Sequence, residues 1–338
     1  MKDTAVVHLT KCAEKTIIAS ANIAKFIASE LELPLVDGPG SFTKDYRNII
    51  YVNSMGAFAH PELRKELAQQ ARHCENLVYV QNDYNVHPIS QVQKVVRDER
   101  GWSHDFPFHK GNIFLWGTIP EYLCKPGDVY LNWNQLTWKP LPRVEPISGP
   151  YSGSVFYWGA CRPGRKAAFA RLLYGCYGHE EIPVVISCAK KVQNKFSEIP
   201  ADYVGSPYNS PTQVDYVKPF RSLEELRQYG CTIYMEDETS NKVYTSPANR
   251  FYEALSAGLF MFVDKSAVHT LERAGYEVPK DWIIDTPSDI KKVGIPVPPV
   301  HRNQQATLWR TIAEKGYQEL RLKLNQAMSS LNYFFRKA

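Results

Sequence analysis

Continuous apolar runs alternate with helix-forming segments along most of the chain, and this alternation limits the fold more than any other feature. Asn48–Val52 and Asn76–Gln81 predict strands buried on both faces, and Pro61–His73 between them predicts a helix. A second alternation follows from residue 154 onward. Further strands are expected at residues 5–9, 113–116, 129–131, 154–158, 183–188, 232–235 and 259–263. The pattern predicts an α/β protein with parallel sheets.

A proline-rich segment divides the two alternations. Residues 139–150 contain four prolines in twelve positions, which predicts a linker between two domains, residues 1–145 and residues 151–303. Residues 304–338 carry an apolar stripe in steps of four, so we expect a long C-terminal helix that packs back on the N-terminal domain.

The composition indicates a mildly basic protein with reduced cysteines, but it does not identify a function. The net charge of +5 and the pI of about 8.7 suit a nucleic acid or an anionic nucleotide as partner. Seven cysteines without a CxxC spacing predict reduced thiols and no structural zinc site. Because no apolar run resembles a signal peptide or a membrane span, a soluble cytoplasmic protein is expected.

Residues 245–264 predict a helix that runs into a buried strand. Ser246 is the expected N-cap, and Gly258 is expected to end the helix. Arg250 and Glu253 are three residues apart and share one helix face. Two interpretations stay open: a surface helix with an ordinary ion pair, or a site where Arg250 binds a diphosphate and Glu253 accepts hydrogen bonds from a ribose.

A second basic segment follows the expected strand at 154–158. Gly159 ends that strand, and Arg162, Arg165 and Lys166 surround the start of the next helix. A helix N-terminus favours anions, so three cations there require a reason, and a bound diphosphate would supply one. The alternative is a basic loop whose charges are solvated. Neither the P-loop spacing nor GxGxxG is present.

Asp83 follows the strand Asn76–Gln81 at its carboxyl end, where open α/β sheets place ligand-contacting groups. A carboxylate at this place could take a proton from an attacking hydroxyl. His87 is a rival base, and a turn-capping role is the alternative for Asp83.

Together these segments resemble the bacteriophage DNA β-glucosyltransferases, which have the GT-B fold and transfer glucose from UDP-glucose to 5-hydroxymethylcytosine in duplex DNA. The matching stretches keep the family's order along the chain: NIIYVNS at 48–54, LVYVQND at 77–83 with HPISQ at 87–91, VFYWGACRPGRK at 155–166 and NRFYEALSAGLFMFVD at 249–264. The resemblance implies two Rossmann-like domains with an interdomain cleft, the first for the DNA acceptor and the second for the UDP-sugar.

The resemblance also implies roles for individual residues. Asp83 matches the general base, Arg162 and Arg250 the cations on the diphosphate, and Glu253 the ribose acceptor. The remaining family cation falls on Lys166 or on Arg165, Phe220 lies where the family contacts uracil, and Gly159 belongs to the UDP loop. DNA contacts are expected in the basic, aromatic segment after Asp83, at Lys94, Arg97, Arg100, Trp102 and Lys110.

The implied reaction is an inverting displacement on flipped-out 5-hydroxymethylcytosine by a monomeric enzyme in the cytoplasm of the infected host, as a DNA modification that evades restriction. No protein side-chain cluster is expected to hold a metal, although Mg²⁺ or Mn²⁺ on the diphosphate is an option. Ala21 stands where the family has an acidic residue, which leaves the donor open between glucose and a related sugar such as arabinose.

Two rival functions share parts of this pattern. One is a GT-B glycosyltransferase with a lipid or saccharide acceptor, which would need the same nucleotide site but no basic surface for a duplex. The other is a non-catalytic DNA- or nucleotide-binding relic of the fold.

Overall fold

The structure is a computed structural model. It describes residues 3–9, 19–52, 61–81, 111–117, 126–142, 149–159, 163–176, 182–188, 190, 193, 214–236 and 246–337. The chain divides into two compact units. Unit 1 comprises Met1–Leu136 with Tyr317–Ala338, and unit 2 comprises Thr137–Gly316.

Unit 1 contains a parallel six-stranded sheet in the order β2-β1-β3-β4-β5-β6. Its strands are β1 Thr4–Val7, β2 Leu35–Val36, β3 Asn48–Val52, β4 Asn76–Gln81, β5 Asn112–Gly117 and β6 Val129–Tyr130. The two central strands, β3 and β4, have the bounds that their apolar runs predict. The short strands β2 and β6 lie at the two edges of the sheet.

Helices cover both faces of this sheet. Helix α1, Ala19–Glu30, shares one core cluster with Leu320, Leu324 and Leu331 near the end of the chain. Helix α2, Pro61–His73, buries Leu63 and Leu67 in the cluster on the other face. The last part of the C-terminal helix therefore packs in unit 1.

A ladder of polar side chains crosses the amino end of this sheet. Thr4, Asn48, Asn76 and Asn112 occupy matching register positions on four adjacent strands. Each amide Nδ2 donates to the preceding rung, at 3.2 Å from Asn48 to Thr4, 2.8 Å from Asn76 to Asn48 and 3.0 Å from Asn112 to Asn76. Thr4, Asn48 and Asn76 are buried, and buried polar groups are rarely left without a hydrogen bond, so the ladder supplies their partners.

Unit 2 contains a second parallel six-stranded sheet, in the order β12-β11-β10-β7-β8-β9. Its strands are β7 Tyr151–Trp158, β8 Val184–Ser187, β9 Val214–Val217, β10 Tyr229–Tyr234, β11 Phe260–Asp264 and β12 Ile283–Ile284. The strands that follow β7 in sequence extend the sheet to one side up to β9, whereas β10 to β12 extend it to the other. The strand order thus reverses between β7 and β10.

The helices of unit 2 differ in several places from the sequence prediction. The segment after β7, which we call α3, is a 3-10 turn at Pro163–Arg165, then α-helix at Lys166–Ala168 and π-helix at Phe169–Tyr174. The π-helical turns bury Phe169, Leu172, Leu173 and Tyr174. The other helices are α4 Asn249–Ala257, α5 Val268–Arg273, α6 Pro287–Val293 and the C-terminal α7 Pro299–Lys337.

Helix α4 begins later than the sequence predicts. Its N-cap is Ala248, so the prediction of Ser246 as the N-cap is wrong. The Ala248 N–H donates instead to the Tyr234 hydroxyl at the end of β10, at 2.9 Å, and this long-range bond replaces a local cap. Gly258 ends the helix with a left-handed φ of +75°, as predicted.

Parts of unit 2 outside the strands are tied to its core. The Lys139 N–H, in the proline-rich segment, donates to Ser256 Oγ at 2.9 Å, and Leu141 donates to the Ser256 carbonyl. On α7, the Gln305 amide bonds both the N–H and the C=O of Met261 in β11, at 2.8 and 2.9 Å. No helix in the described part of the chain combines the length and the apolarity that a membrane span requires.

Candidate active site

The candidate site lies at the carboxyl ends of β7 and β10, the neighbouring strands between which the order of the second sheet reverses. β7 ends at Trp158 and leads into Gly159, and β10 ends at Tyr234 and leads to Glu236. Open α/β sheets bind ligands at such reversal points. Helix α4 adds Arg250 and Glu253 to the same place.

Arg250 is held by the ends of both strands. Its Nη2 donates to the Met235 carbonyl at 2.7 Å, and its Nη1 donates to the Tyr157 hydroxyl and, at 3.5 Å, to the Trp158 carbonyl. The side chain is 13% exposed. Burial acts to lower the pKa of Arg250, but Tyr157 and Glu236 outweigh it and raise the pKa above its ordinary value. The guanidinium is therefore a fixed positive charge.

Glu236 is a buried carboxylate between two arginines. Its Oε2 lies 3.4 Å from Nη2 of Arg165 and 3.8 Å from Nη2 of Arg250. Its Oε1 accepts a hydrogen bond from the Tyr234 hydroxyl, the same group that accepts the Ala248 N–H. The carboxylate cancels one of the two positive charges and holds both guanidinium groups in place, so that a net positive charge remains.

Glu253 belongs to a second, partly aromatic group. Its Oε2 accepts a hydrogen bond from the indole N–H of Trp158 at 2.7 Å. Phe220 lies edge-on to the Trp158 ring, with the ring centroids 5.8 Å apart. Burial raises the pKa of the Glu253 carboxyl, and the indole N–H and Arg250 partly offset that rise. The group combines an apolar wall with a carboxylate acceptor.

These contacts exclude one of the two interpretations of the Arg250–Glu253 spacing, the surface helix with its own ion pair. Arg250 forms its ion pair with Glu236, two residues past the end of β10, and Glu253 accepts a hydrogen bond from the indole N–H of Trp158. The helix face they share lies against the ends of β7 and β10. A solvated surface helix with an i,i+3 ion pair is therefore not what the structure contains.

Gly159 allows Arg250 to approach the end of β7. Its φ is +129°, a conformation that residues with a side chain rarely adopt. A β-carbon here would lie 2.8 Å from Nη1 of Arg250 and 3.3 Å from the Tyr157 hydroxyl. The absence of a side chain at this position is thus a condition for the Arg250–Tyr157 bond.

We expect Gly159→Ala to lower the free energy of unfolding by about 1–3 kcal/mol, because the backbone would be strained and Arg250 displaced. Gly153→Ala in the same strand is the matched control, since a β-carbon there meets nothing within 4 Å. Urea unfolding of the two variants measures the difference. Equal midpoints for both would contradict the role given to Gly159.

The structure brings some of the predicted site residues together. Gly159, Arg165 and Arg250 share contacts with one another or with Glu236, while Phe220 and Glu253 meet at Trp158. Lys166 is half-buried at the start of the α-helical part of α3. Arg162, Asp83 and the predicted DNA contacts Lys94, Arg97, Arg100, Trp102 and Lys110 lie outside the described residues.

Sequence reasoning missed Glu236 and Trp158. A signal for Glu236 existed, because the acidic run EDE directly follows the predicted strand at 232–235. Its importance depends on β10 lying beside β7, which no local pattern reveals. Within the described residues, no group of three or more His, Cys, Asp or Glu side chains could hold a metal ion.

No known family model matches the sequence, and no curated protein matches it by sequence. The fold matches two solved structures of T4 phage BGT. BGT with its UDP-glucose substrate gives a TM-score of 0.64 at 14% identity, covering 97% of this chain and 98% of that chain. An aspartate-to-alanine mutant with UDP-glucose gives 0.62 at 12% identity, covering 97% and 99%.

The chain therefore has the GT-B fold, with two parallel six-stranded sheets and helices around them. The resemblance to the phage DNA β-glucosyltransferases that the sequence motifs predict is confirmed at the level of the fold.

Proposed function

We propose that the protein is an inverting glycosyltransferase. It moves glucose or a related sugar such as arabinose from a UDP-sugar to the hydroxymethyl group of 5-hydroxymethylcytosine in duplex DNA. The observation that carries the proposal is the site at the strand reversal of unit 2, where the buried Arg165 and the partly buried Arg250 adjoin a carboxylate and an aromatic wall. Support comes from BGT, a protein of the same fold over almost the full length of both chains, which has UDP-glucose as its substrate.

The parts of the site suit the parts of a UDP-sugar. Arg250 and Arg165 supply fixed charge for the diphosphate, joined by Arg162 and Lys166 on the loop and helix after β7. Glu253 accepts hydrogen bonds from the ribose hydroxyls, and Phe220 packs against uracil. A divalent cation, when bound, adds charge stabilisation to the diphosphate.

Transfer is a single displacement. Asp83 takes the proton of the hydroxymethyl group, and the oxygen attacks the anomeric carbon as the bond to UDP breaks. UDP leaves with the electron pair, and the arginines stabilise its growing negative charge. The configuration at the anomeric carbon inverts, because the attack comes from the face opposite UDP.

The acceptor base must leave the duplex to reach the donor, as for other enzymes that act on bases. DNA is held chiefly through its phosphates, which position the duplex without reading sequence. We assign these contacts to the basic and aromatic segment after Asp83, at Lys94, Arg97, Arg100, Trp102 and Lys110.

A nucleoside assay tests the proposal. The protein is incubated with a panel of UDP-sugars and with hydroxymethylated or plain DNA, the DNA is digested to nucleosides, and the products are analysed by mass spectrometry. We expect a sugar-bearing nucleoside from hydroxymethylated DNA alone, and none with Asp83→Asn or Glu253→Ala.

The outcomes separate the rival functions. UDP-sugar hydrolysis without any modified nucleoside would reject the DNA acceptor and favour a lipid or saccharide. No binding or turnover of any UDP-sugar would reject the glycosyltransferase itself and favour a relic of the fold.

A further inference from the structure

Trp158 makes two separable contacts in the site. Its ring packs between Phe156, with centroids 5.3 Å apart, and Phe220, with centroids 5.8 Å apart. Its indole N–H donates to Glu253 at 2.7 Å. The ring contacts need only an aromatic side chain, whereas the hydrogen bond needs the nitrogen. The two roles can therefore be tested apart.

The hydrogen bond gives the Glu253 carboxylate a defined partner. Among the described residues, Trp158 is the one hydrogen-bond donor to Glu253. An indole N–H can only donate, so it selects the ionised carboxylate and holds one oxygen in a set direction. A carboxylate has about four acceptor sites, and those not used by the indole stay available to a ligand.

The position of Trp158 at the end of β7 explains how its indole N–H can orient the Glu253 carboxylate. Trp158 is the last residue of β7, and Phe156 lies two residues earlier on the same face of the strand. The ring is thus held by the sheet, and Trp158 is only 6% exposed. Glu253, by contrast, extends from a helix. A donor held by the sheet thereby sets the direction of one carboxylate oxygen on the helix.

We propose that Trp158 is the positioning residue for ribose recognition: its indole N–H orients the Glu253 carboxylate so that the carboxylate accepts hydrogen bonds from the ribose hydroxyls of the nucleotide. The inference rests on the proposed function, since it deepens the role of Glu253 in that site. Trp158 itself does not contact reacting atoms. Its effect should appear as a change in nucleotide discrimination.

Binding of UDP and 2′-deoxy-UDP by calorimetry tests this inference. The wild-type protein should prefer UDP by about tenfold to a hundredfold, the range for a hydrogen bond to a charged group. Trp158→Phe keeps an aromatic ring but removes the N–H, so we expect the preference to fall to less than about threefold, with weaker loss of 2′-deoxy-UDP affinity.

The chain offers a matched control. Trp138 also donates its indole N–H to a glutamate, Glu314, at 2.9 Å in unit 2. Trp138→Phe removes the same type of bond between two residues that are not part of the candidate site, and it should leave the UDP preference unchanged. Should Trp158→Phe fail to fold, 3-benzothienylalanine at position 158 removes the N–H while keeping the shape of the ring.

The pH dependence of the preference is a second readout. Burial raises the pKa of Glu253, whereas the indole N–H and the neighbouring Arg250 charge lower it. The ionised carboxylate binds the ribose, so the preference for UDP should be lost as pH falls through this pKa. Without the indole N–H the pKa rises further, and the loss should begin at higher pH. Because both nucleotides carry the same diphosphate, its own titration cancels.

The result separates this inference from the function on which it rests. A wild-type protein that binds neither nucleotide would reject the proposed function. A wild-type protein that prefers UDP, together with a variant at position 158 that keeps both the preference and its pH dependence, would overturn the role of Trp158 alone. Equal weakening of both nucleotides would mean a packing role only and would overturn it as well.

Discussion

Replacing Glu236 with leucine should lower the free energy of unfolding by about 3–5 kcal/mol, the usual cost of removing one partner from a buried charge pair. The side chains of Glu236, Arg165 and Arg250 are 7%, 8% and 13% exposed, so water screens the charges of the two arginines only weakly once the carboxylate is lost. Leucine has a similar volume, which limits the cost of a cavity. The loss of stability therefore measures the repulsion and desolvation of two neighbouring arginines that no longer share a carboxylate.

Urea unfolding with a surface control measures this effect. Lys265 forms an ion pair with Asp285 at 3.3 Å in the same unit, but both side chains are more than half exposed. Lys265→Ala should cost at most about 1 kcal/mol. Glu236→Gln should fall between the two, because its amide oxygen still accepts the Tyr234 hydroxyl. A cost for Glu236→Leu no larger than the control would show that the arginines do not depend on the carboxylate.

Arg250→Ala should weaken UDP binding by about 2–5 kcal/mol, roughly 30-fold to several thousand-fold. The guanidinium is held by Met235, Tyr157 and Glu236, so it needs little reorganisation to meet a diphosphate. Affinity for DNA should be unchanged, since the proposed DNA contacts lie on another segment. Calorimetry with UDP and a DNA-binding titration at fixed salt measure the two affinities.

Arg310, on α7, provides the control, because it contacts the end of α4 opposite to Arg250. Its Nη2 donates to the Leu255 and Ser256 carbonyls near the C-terminus of α4, at 3.4 and 3.5 Å. Arg310→Ala should affect stability but leave UDP affinity intact. If Arg250→Ala weakened DNA and UDP binding equally, the proposed division between donor and acceptor contacts would be wrong.

The central strands of the fold could be predicted because the local sequence of each one is a run of mostly apolar residues, which indicates burial. Asn48–Val52 and Asn76–Gln81 are continuous apolar runs between polar flanks, and the structure gives them these bounds. The edge strands β2, β9 and β12 were missed, since two to four residues carry too weak a pattern. These strands form by pairing with a neighbouring strand, and the local sequence does not show which strand that is.

The candidate site likewise contains residues that could be predicted from the sequence and residues that could not. Arg250, Glu253 and Gly159 were found because their spacing on a helix or at a strand end is a local feature. The prediction of Ser246 as the N-cap is wrong because the hydroxyl that bonds Ala248 at the start of α4 belongs to Tyr234, fourteen residues earlier at the end of β10. Partners supplied across the sheet can be identified only once the strand order is known.

The polar ladder of Thr4, Asn48, Asn76 and Asn112 fixes the register of the strands in unit 1. A slip of one residue in β3 or β4 would turn its side chains to the opposite face and break the amide bonds on both sides of that strand. The alignment is thus secured at the amino ends of β3, β4 and β5. Because these bonds lie at the amino ends, the register of the three strands does not depend on the segments that follow their carboxyl ends.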